Sequence, residues 1–422
     1  MFRDLAPACI MTRDPVIGDG NARPAQDPIH PNAGRPRRLV LISHTALYPI
    51  HWHAFRWICE QRDVEGHVIQ LEENDRPSVH RQTGWIDVQQ ERATGFCPDV
   101  LVMPELRSRA RREWLLSRIR MIEPDVIWWQ GEPINWDLFA ILRNYYWRRE
   151  PRIVSALCEN IFVPPPGHWV RFVKKRLLFP PLAWLLWRRL DGIVATARAS
   201  IDGIRQIGMP RSVPFTTLVA GAVSPAASVE PLRLPFERQS DDYIVGFVGR
   251  ICEEKGWRVL FEALAQLPPH FKCVVAGDGP EIDELKSALD SPALKGRVHF
   301  LGLLNKERLW QFYRALDCLA VPSLTRAHWK EQFGAVLTDG MAMGLPLVGS
   351  DSGSIPEVMG PAGLVFPEGD AARLAGAIRL LAEDPAQGRR LGEVGRNRFA
   401  REFAIPAYGA KLAAALFPEP PV

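Results

Sequence analysis

Short apolar runs alternate with helix-length amphipathic stretches along this chain, and the alternation happens twice. The first series is RLVLIS (38–43), HVIQL (67–71), DVLVM (99–103), DVIWW (125–129), RIVSAL (152–157) and GIVAT (192–196). The second is YIVGFVGR (243–250), KCVVAG (272–277), RVHFLG (297–302), DCLAVPS (317–323), LPLVGS (345–350) and GLVFP (363–367). Runs this short and this apolar suit strands buried on both faces of a parallel sheet, with the helical stretches as crossovers. SPAASVEPLRLPFERQSDD (224–242) separates the two series; it is rich in Pro and charge and lacks either periodicity, as a linker does. The expected fold class is α/β, two Rossmann-like doubly wound domains facing each other across a cleft. The expected boundaries are a disordered leader (1–37), a first domain (38–223), the linker (224–242), a second domain (243–400) and a C-terminal helix (401–422) packing back on the first domain.

Composition narrows the class further. The 422 residues are 47% hydrophobic and 24% charged, enough apolar material for two cores. A net charge of +4 is too small to argue for nucleic acid as a partner. The seven cysteines lack a C-x-x-C and fit reduced thiols in a cytoplasmic protein. Residues 1–37 have no apolar signal-peptide core, and no run reaches roughly 18 uninterrupted apolar residues. Three histidines, His44, His51 and His53, lack a carboxylate or Cys at metal-ligand spacing, so no metal site is expected.

Three stretches of the second half carry chemistry. VGFVGRICEEKG (245–256) puts Gly249 and Arg250 at a strand end and Lys255 five residues on. A guanidinium fork and an ammonium suit a diphosphate, though a βα turn with two solvated cations would read the same. VVAGDGPEIDEL (274–285) reads as a strand, a turn and a helix start. EQFGAVLTDG (331–340) sets Glu331 and Asp339 eight apart around Gly334. If most of 331–339 is helical, the two carboxylates share one side with a rise of roughly 12 Å. That span would let them grip hydroxyls at either end of one ligand, with the helix-start amides facing an anion between. Two ordinary surface acids remain the simpler reading of the pair taken alone.

Taken in order, Gly-Arg with Lys five on, Gly-Asp-Gly-Pro, Glu-x-Phe-Gly with an acid eight on, and GSDSGSIPEV (349–358) resemble the C-terminal domain of the GT-B retaining glycosyltransferases of family four. The resemblance covers about 243–400. It makes that segment a nucleotide-sugar domain and implies that Arg250 and Lys255 bind the donor diphosphate and Glu331 the donor sugar. It implies further that Asp339, where the family usually has Glu, takes the ribose hydroxyls. Phe333 and Gly334 would present backbone amides, Gly249 would allow close approach, and Leu303 would lie near the base. A nucleotide-diphosphate-sugar is then the donor substrate, with no cofactor and no divalent metal required.

The first half departs from that family. SHTALYPIHWHAF (43–55) has no Gly where a glycine-rich loop is usual, and ALCENIF (156–162) puts Glu159 where a His is usual. Glu159 is the candidate catalytic replacement, Glu132 in WWQGEPINW a further candidate, and solvent-facing strand-end acids the plain alternative. ATARASIDGIRQIGMP (195–210) is the closest local match. HWVRFVKKRLLFPPLAWLLWRRL (168–190) carries six Lys or Arg, three Trp and no acid. It reads as a surface for an anionic membrane, or as core helices edged with cations and broken at Pro180-Pro181.

The resulting expectation is a retaining transferase moving a sugar to a hydroxyl acceptor, lipid-linked among the options, in envelope or exopolysaccharide synthesis. The expected location is cytoplasmic, peripheral at the inner membrane face. The alternatives are a nucleotide-sugar epimerase or phosphorylase on the same fold, and a non-catalytic nucleotide-sugar-binding protein.

Overall fold

The computed structural model describes residues 35–43, 49–71, 96, 98–104, 106, 108–158, 179–218, 222–226, 228–327 and 329–418. Residues of the expected leader before 35, His44, the 72–95 stretch, Glu159 and the basic segment 168–178 lie outside them.

Both strand series form parallel sheets. The first contains β1 (Arg37–Ser43), β2 (Val64–Gln70), β3 (Asp99–Val102), β4 (Val126–Gln130), β5 (Arg152–Leu157), β6 (Gly192–Ala195) and β7 (Phe215–Thr217), in the order β3-β2-β1-β4-β5-β6-β7. The second contains β8 (Tyr243–Val248), β9 (Phe271–Ala276), β10 (Val298–Phe300), β11 (Cys318–Val321), β12 (Leu347–Ser350) and β13 (Gly363–Phe366), in the order β10-β9-β8-β11-β12-β13. Each order reverses direction once, between β1 and β4 and between β8 and β11. Ligands of such sheets bind outside the carboxyl ends of the strands at that reversal.

The apolar runs form strands because both faces are covered. Leu39, Val40, Leu41 and Ile42 of β1 are all fully buried. Val40 and Ile42 join one core layer while Leu39 and Leu41 join the other, as the alternation of side chains along a strand requires. Strand β7 was not anticipated: FTT is short and partly exposed, and its pairing with β6 on one side is what makes it a strand.

The described residues of 224–242 form no regular element, yet the stretch is not free of the second domain. Leu232, Leu234 and Phe236 pack against the core there, and the Leu232 amide donates to Gln311 O at 2.8 Å. At the far end the chain returns. The Ala222 amide donates to Phe403 O at 2.7 Å, and the Ile405–Leu416 helix buries Tyr408, Leu412 and Leu416 against Trp52, Phe55 and Ile58 of the Pro49–Arg62 helix. The last helix thus completes the first domain's core.

Pro180 and Pro181 do not break a helix; they lie in the first turn of the Phe179–Trp187 helix, where a missing N–H costs nothing. Ala183, Leu186 and Trp187 face the core, while Leu182, Trp184 and Leu185 stay exposed. Arg189 is not a surface cation. It is buried, donates to the carbonyls of Tyr145 and Pro151, and pairs with Asp191 at 2.6 Å. Among the described residues no helix is long and apolar enough to cross a membrane.

Because Leu412 is fully buried in the layer it shares with Trp52, Leu412→Ala is expected to cost about 2–5 kcal/mol. Urea unfolding followed by tryptophan fluorescence measures it. A midpoint equal to wild type would mean that the last helix is not docked in solution.

Candidate functional site

The carboxyl end of the second sheet gathers the residues singled out by sequence. Gly249 and Arg250 follow β8, and Arg250 is exposed. The next turn, Glu253–Lys255, ends at Gly256, whose φ is +70°. A Cβ there would lie 1.8 Å from Pro322 O, so only glycine lets this turn close onto the residues after β11. Lys255 is thereby carried to Glu331. Its Nζ donates to Glu331 Oε2 at 2.7 Å and sits 4.8 Å from the centre of the Trp329 ring.

The Gly-Asp-Gly-Pro turn acts as a buttress. The Gly249 amide donates to Ala276 O at 3.1 Å, the Ile251 amide to Asp278 O at 2.8 Å, and the Glu281 amide to Ile251 O at 3.1 Å. These bonds fix the loop that presents Arg250. The adjacent Ile282–Leu289 helix begins after Glu281, whose carboxylate takes the Trp257 indole N–H at 2.8 Å.

Glu331 is buried, with 7% of its side chain exposed, and Ser323 Oγ also donates to its Oε2 at 2.8 Å. Its backbone is gripped as well: the Ser354 amide and Ser354 Oγ both donate to Glu331 O, at 3.1 and 3.2 Å. Gly353 makes that approach possible. Its φ is +57°, and a Cβ would come 2.3 Å from Glu331 O. GSDSGSIPEV is thus the wall that sets the position of Glu331.

Glu331 stands outside the helix, so the rise argued for a helical 331–339 applies only from Ala335 on. The helix is Ala335–Met343 and starts after Gly334, which has φ +65° and provides no side-chain cap. A glycine in the left-handed region ends the helix there, so the helical rise does not reach Glu331. Glu331 and Asp339 belong to different local structures. Asp339 lies in the second helical turn, 6% exposed, with both carboxylate oxygens 2.9 Å from Lys306 Nζ and Oδ2 3.5 Å from Tyr313 Oη. Burial pushes its carboxyl above the usual carboxylate range, and the Lys306 ammonium opposes that shift. Phe333 is partly buried against the core beside this helix, and Leu303, after β10, is 49% exposed. Lys306, Ser323, Trp329 and Ser354 were not picked out from sequence as site residues; Ser354 lies within GSDSGSIPEV, and the other three stand in no pattern that separates them from ordinary residues.

The first domain offers a polar row. Gln70, Ser43 and Gln130 end β2, β1 and β4, stand opposite one another in register and are buried. Of these three apolar runs as read from sequence, only RLVLIS ends on its polar residue; Gln70 lies inside HVIQL and Gln130 follows DVIWW. Glu132 ties two strand ends together, its Oε1 accepting the Cys158 amide at 3.1 Å. His51 stands edge-on to Trp128 with ring centres 5.9 Å apart, and burial lowers its pKa to about 4. His53 lines a hollow of about 330 Å³ with Arg56, Trp57 and Ile405. Among the described residues no three His, Cys, Asp or Glu are grouped to hold a metal. Across the cleft, the Arg198 amide of ATARAS donates to Glu357 Oε2 of GSIPEV at 3.3 Å.

Residues 230–398 match the family model described as "Glycosyl transferases group 1". The 2-deoxystreptamine glucosyltransferase of Streptomyces kanamyceticus is 27% identical over 361 residues, covering 82% of this chain and 87% of that protein. The lipopolysaccharide core biosynthesis glycosyltransferase LpsE of Rhizobium meliloti is 28% identical, covering 63% of this chain and 77% of its own length. The chain is a glycosyltransferase. Its second domain is a group 1 glycosyl transferase domain. The two-domain GT-B arrangement is shared with Anabaena Alr3699/HepE, solved in complex with UDP, at TM-score 0.67, 18% identity and coverage of 90% of this chain and 99% of that one. WaaG, a glycosyltransferase involved in lipopolysaccharide biosynthesis, gives TM-score 0.54 at 14% identity, with the same coverages.

Two expectations follow for this glycosyltransferase. Gly353→Ala should lower stability by about 1–3 kcal/mol and lower activity beyond what the unfolded fraction explains, because Glu331 must shift. Activity that tracks stability alone would contradict the role given to the wall. For His51, the unfolded chain takes up a proton near 6.5 and the folded chain only near 4. Its contribution to stability is therefore complete above pH 6.5 and lost as pH falls toward 4. Chemical denaturation across that range should show a shallower acid loss in His51→Gln than in wild type, and equal slopes would contradict the buried setting.

Proposed function

We propose that this glycosyltransferase moves a sugar, with retention of anomeric configuration, from a nucleotide-diphosphate-sugar to a hydroxyl acceptor, as family-four transferases do. The observation that carries the reading is the Lys255–Glu331 bond at 2.7 Å beside exposed Arg250. It puts an ammonium, a guanidinium and a buried carboxylate at the carboxyl end of one sheet, where a donor would bind. Arg250 and Lys255 take the diphosphate, and Lys255 exchanges its carboxylate partner for phosphate oxygens when the donor arrives. Glu331, released on one oxygen, takes sugar hydroxyls. Asp339 serves the ribose, Leu303 borders the base, and the Phe333 and Gly334 amides approach the phosphates with Gly249 opposite. Glu159 acts from the first domain. Solved Alr3699/HepE complexes with UDP and UDP-glucose support a nucleotide-sugar as the donor.

The chemistry is charge management. As the glycosidic bond breaks, the leaving diphosphate gains negative charge, and fixed cations stabilise that state more than the ground state. These two cations supply the positive charge without a divalent metal. The acceptor is a glycan hydroxyl, lipid-linked in the setting of envelope polysaccharide, and the relatives named for lipopolysaccharide core biosynthesis support that setting. A peripheral membrane position on the cytoplasmic side accords with exposed Leu182, Trp184 and Leu185, and with Arg188 stacked 3.7 Å from the Trp184 ring centre.

Arg250→Ala is expected to lower turnover about 100-fold or more with an unchanged melting temperature, since Arg250 is exposed. Lys255→Ala should lower both turnover and stability, because it leaves Glu331 a buried charge without its ammonium. Sugar transfer from labelled donor, with and without acceptor and with EDTA, is the measurement. Near-wild-type transfer by Arg250→Ala, release of sugar phosphate or isomerised donor without acceptor, or loss of transfer in EDTA would each contradict this reading.

A further inference from the structure

Asp339 does not stand alone in the second domain. Lys306 Nζ lies 2.9 Å from each of its carboxylate oxygens, across 33 residues of chain. Lys306 opens the Lys306–Arg314 helix, which follows β10 after the short coil that carries Leu303. Both residues are therefore at the carboxyl end of the sheet, the end that carries Gly249, Arg250 and Gly334.

The two partners differ in exposure. Asp339 has 9% of its side chain exposed and Lys306 47%. The ammonium stands between a buried carboxylate and solvent, with its position fixed further by the Trp310 ring 4.1 Å away. An ammonium has three N–H donors, and Asp339 engages at most two of them. A carboxylate has about four lone-pair positions, of which Lys306 and Tyr313 occupy up to three. The pair therefore has a donor and an acceptor left. A vicinal diol matches that pattern, since each hydroxyl can donate one hydrogen bond and accept another.

Lys306 has a second effect. A carboxylate this buried would take up a proton if it had no cation beside it. Protonated Asp339 would lose the acceptor position that a hydroxyl needs. Aspartate is also one methylene shorter than glutamate, so an ammonium that projects beyond the carboxylate extends the reach of the pair.

We propose that Lys306 is a positioning residue of the donor site: with Asp339 it forms one composite grip for the vicinal hydroxyls of the donor's ribose, Asp339 accepting from one and Lys306 donating to the other. The inference rests on the reading of Asp339 as the ribose contact. It makes ribose recognition depend on both members of the pair. Without one hydroxyl, part of a desolvated charged pair loses its partner, which sites built around a hydroxyl reject strongly.

The test is a comparison of ratios in the full-length protein. Dissociation constants are measured by calorimetry for UDP, GDP and ADP, and then for the 2′-deoxy and 3′-deoxy forms of whichever binds most tightly. Wild type should bind at least one deoxy form about tenfold or more weaker. Lys306→Met should bring that ratio to within about threefold, and Lys306→Arg, which keeps a cationic donor, should retain most of it. A tie that merely joined two helices would alter stability, or affinity for all nucleotides equally, and would leave the ratio unchanged. If Asp339→Asn abolishes the ratio and folded Lys306→Met keeps it, the inference about Lys306 fails while the ribose reading stands. If wild type shows no ratio, or Asp339→Asn leaves it intact, the ribose reading itself fails. Absence of binding by all three nucleotides overturns the donor site. Where Lys306→Met does not fold, judged by its melting curve, Lys306→Leu carries the same comparison.

Discussion

The hydrogen-bonded ion pair between Lys255 and Glu331 joins two segments 76 residues apart and sets the geometry around it. A partly buried pair of this kind gains little net stability over well-packed apolar residues, because desolvation offsets the Coulomb attraction. The surrounding chain nevertheless accepts strong local constraints to form it. Gly256 takes φ +70° against Pro322 O, Gly353 takes φ +57° against Glu331 O, and Ser323 and Ser354 spend their hydroxyls on Glu331. An arrangement that holds a carboxylate and an ammonium so firmly, beside an exposed guanidinium, suits charge recognition better than fold stability.

The rest of the molecule supplies rigid support for that pair. Four buried layers flank two parallel sheets, and within each sheet every strand delivers its last residue to the same end. The return of the chain through Phe403 and the Ile405–Leu416 helix makes the first domain's core depend on the C-terminal residues. The two halves also touch near the site, where the Arg198 amide meets Glu357. Glu357 belongs to the same turn-and-helix segment that positions Glu331 through Gly353 and Ser354, so the first domain touches the wall of the site.

The strands were legible because a parallel sheet covered on both faces leaves a continuous apolar run, as in LVLI of β1 and CLAV of β11. Arg250, Lys255 and Glu331 were legible because short motifs fix local turns, and the structure brings Lys255 and Glu331 together. What local pattern could not give was tertiary. The AVLTDGMAM helix formed where its sequence pointed, but spacing alone did not reveal that Gly334 takes the left-handed conformation and leaves Glu331 outside it. Asp339 meets Lys306 through the packing of two helices, and nothing in GLLNKERLW marks that lysine. Arg189 read as a surface cation, yet three backbone carbonyls and Asp191 surround it. Pro180 and Pro181 read as breakers because their position within the helix was not known.

The account turns on where Lys255 points when a nucleotide-sugar is bound. A crystal structure with a non-hydrolysable nucleotide-sugar measures this directly. It should show Lys255 Nζ within about 3.2 Å of a diphosphate oxygen, Arg250 on the same diphosphate, and Glu331 turned to the sugar hydroxyls. A diphosphate bound elsewhere, with the bond between Lys255 and Glu331 intact, would contradict it.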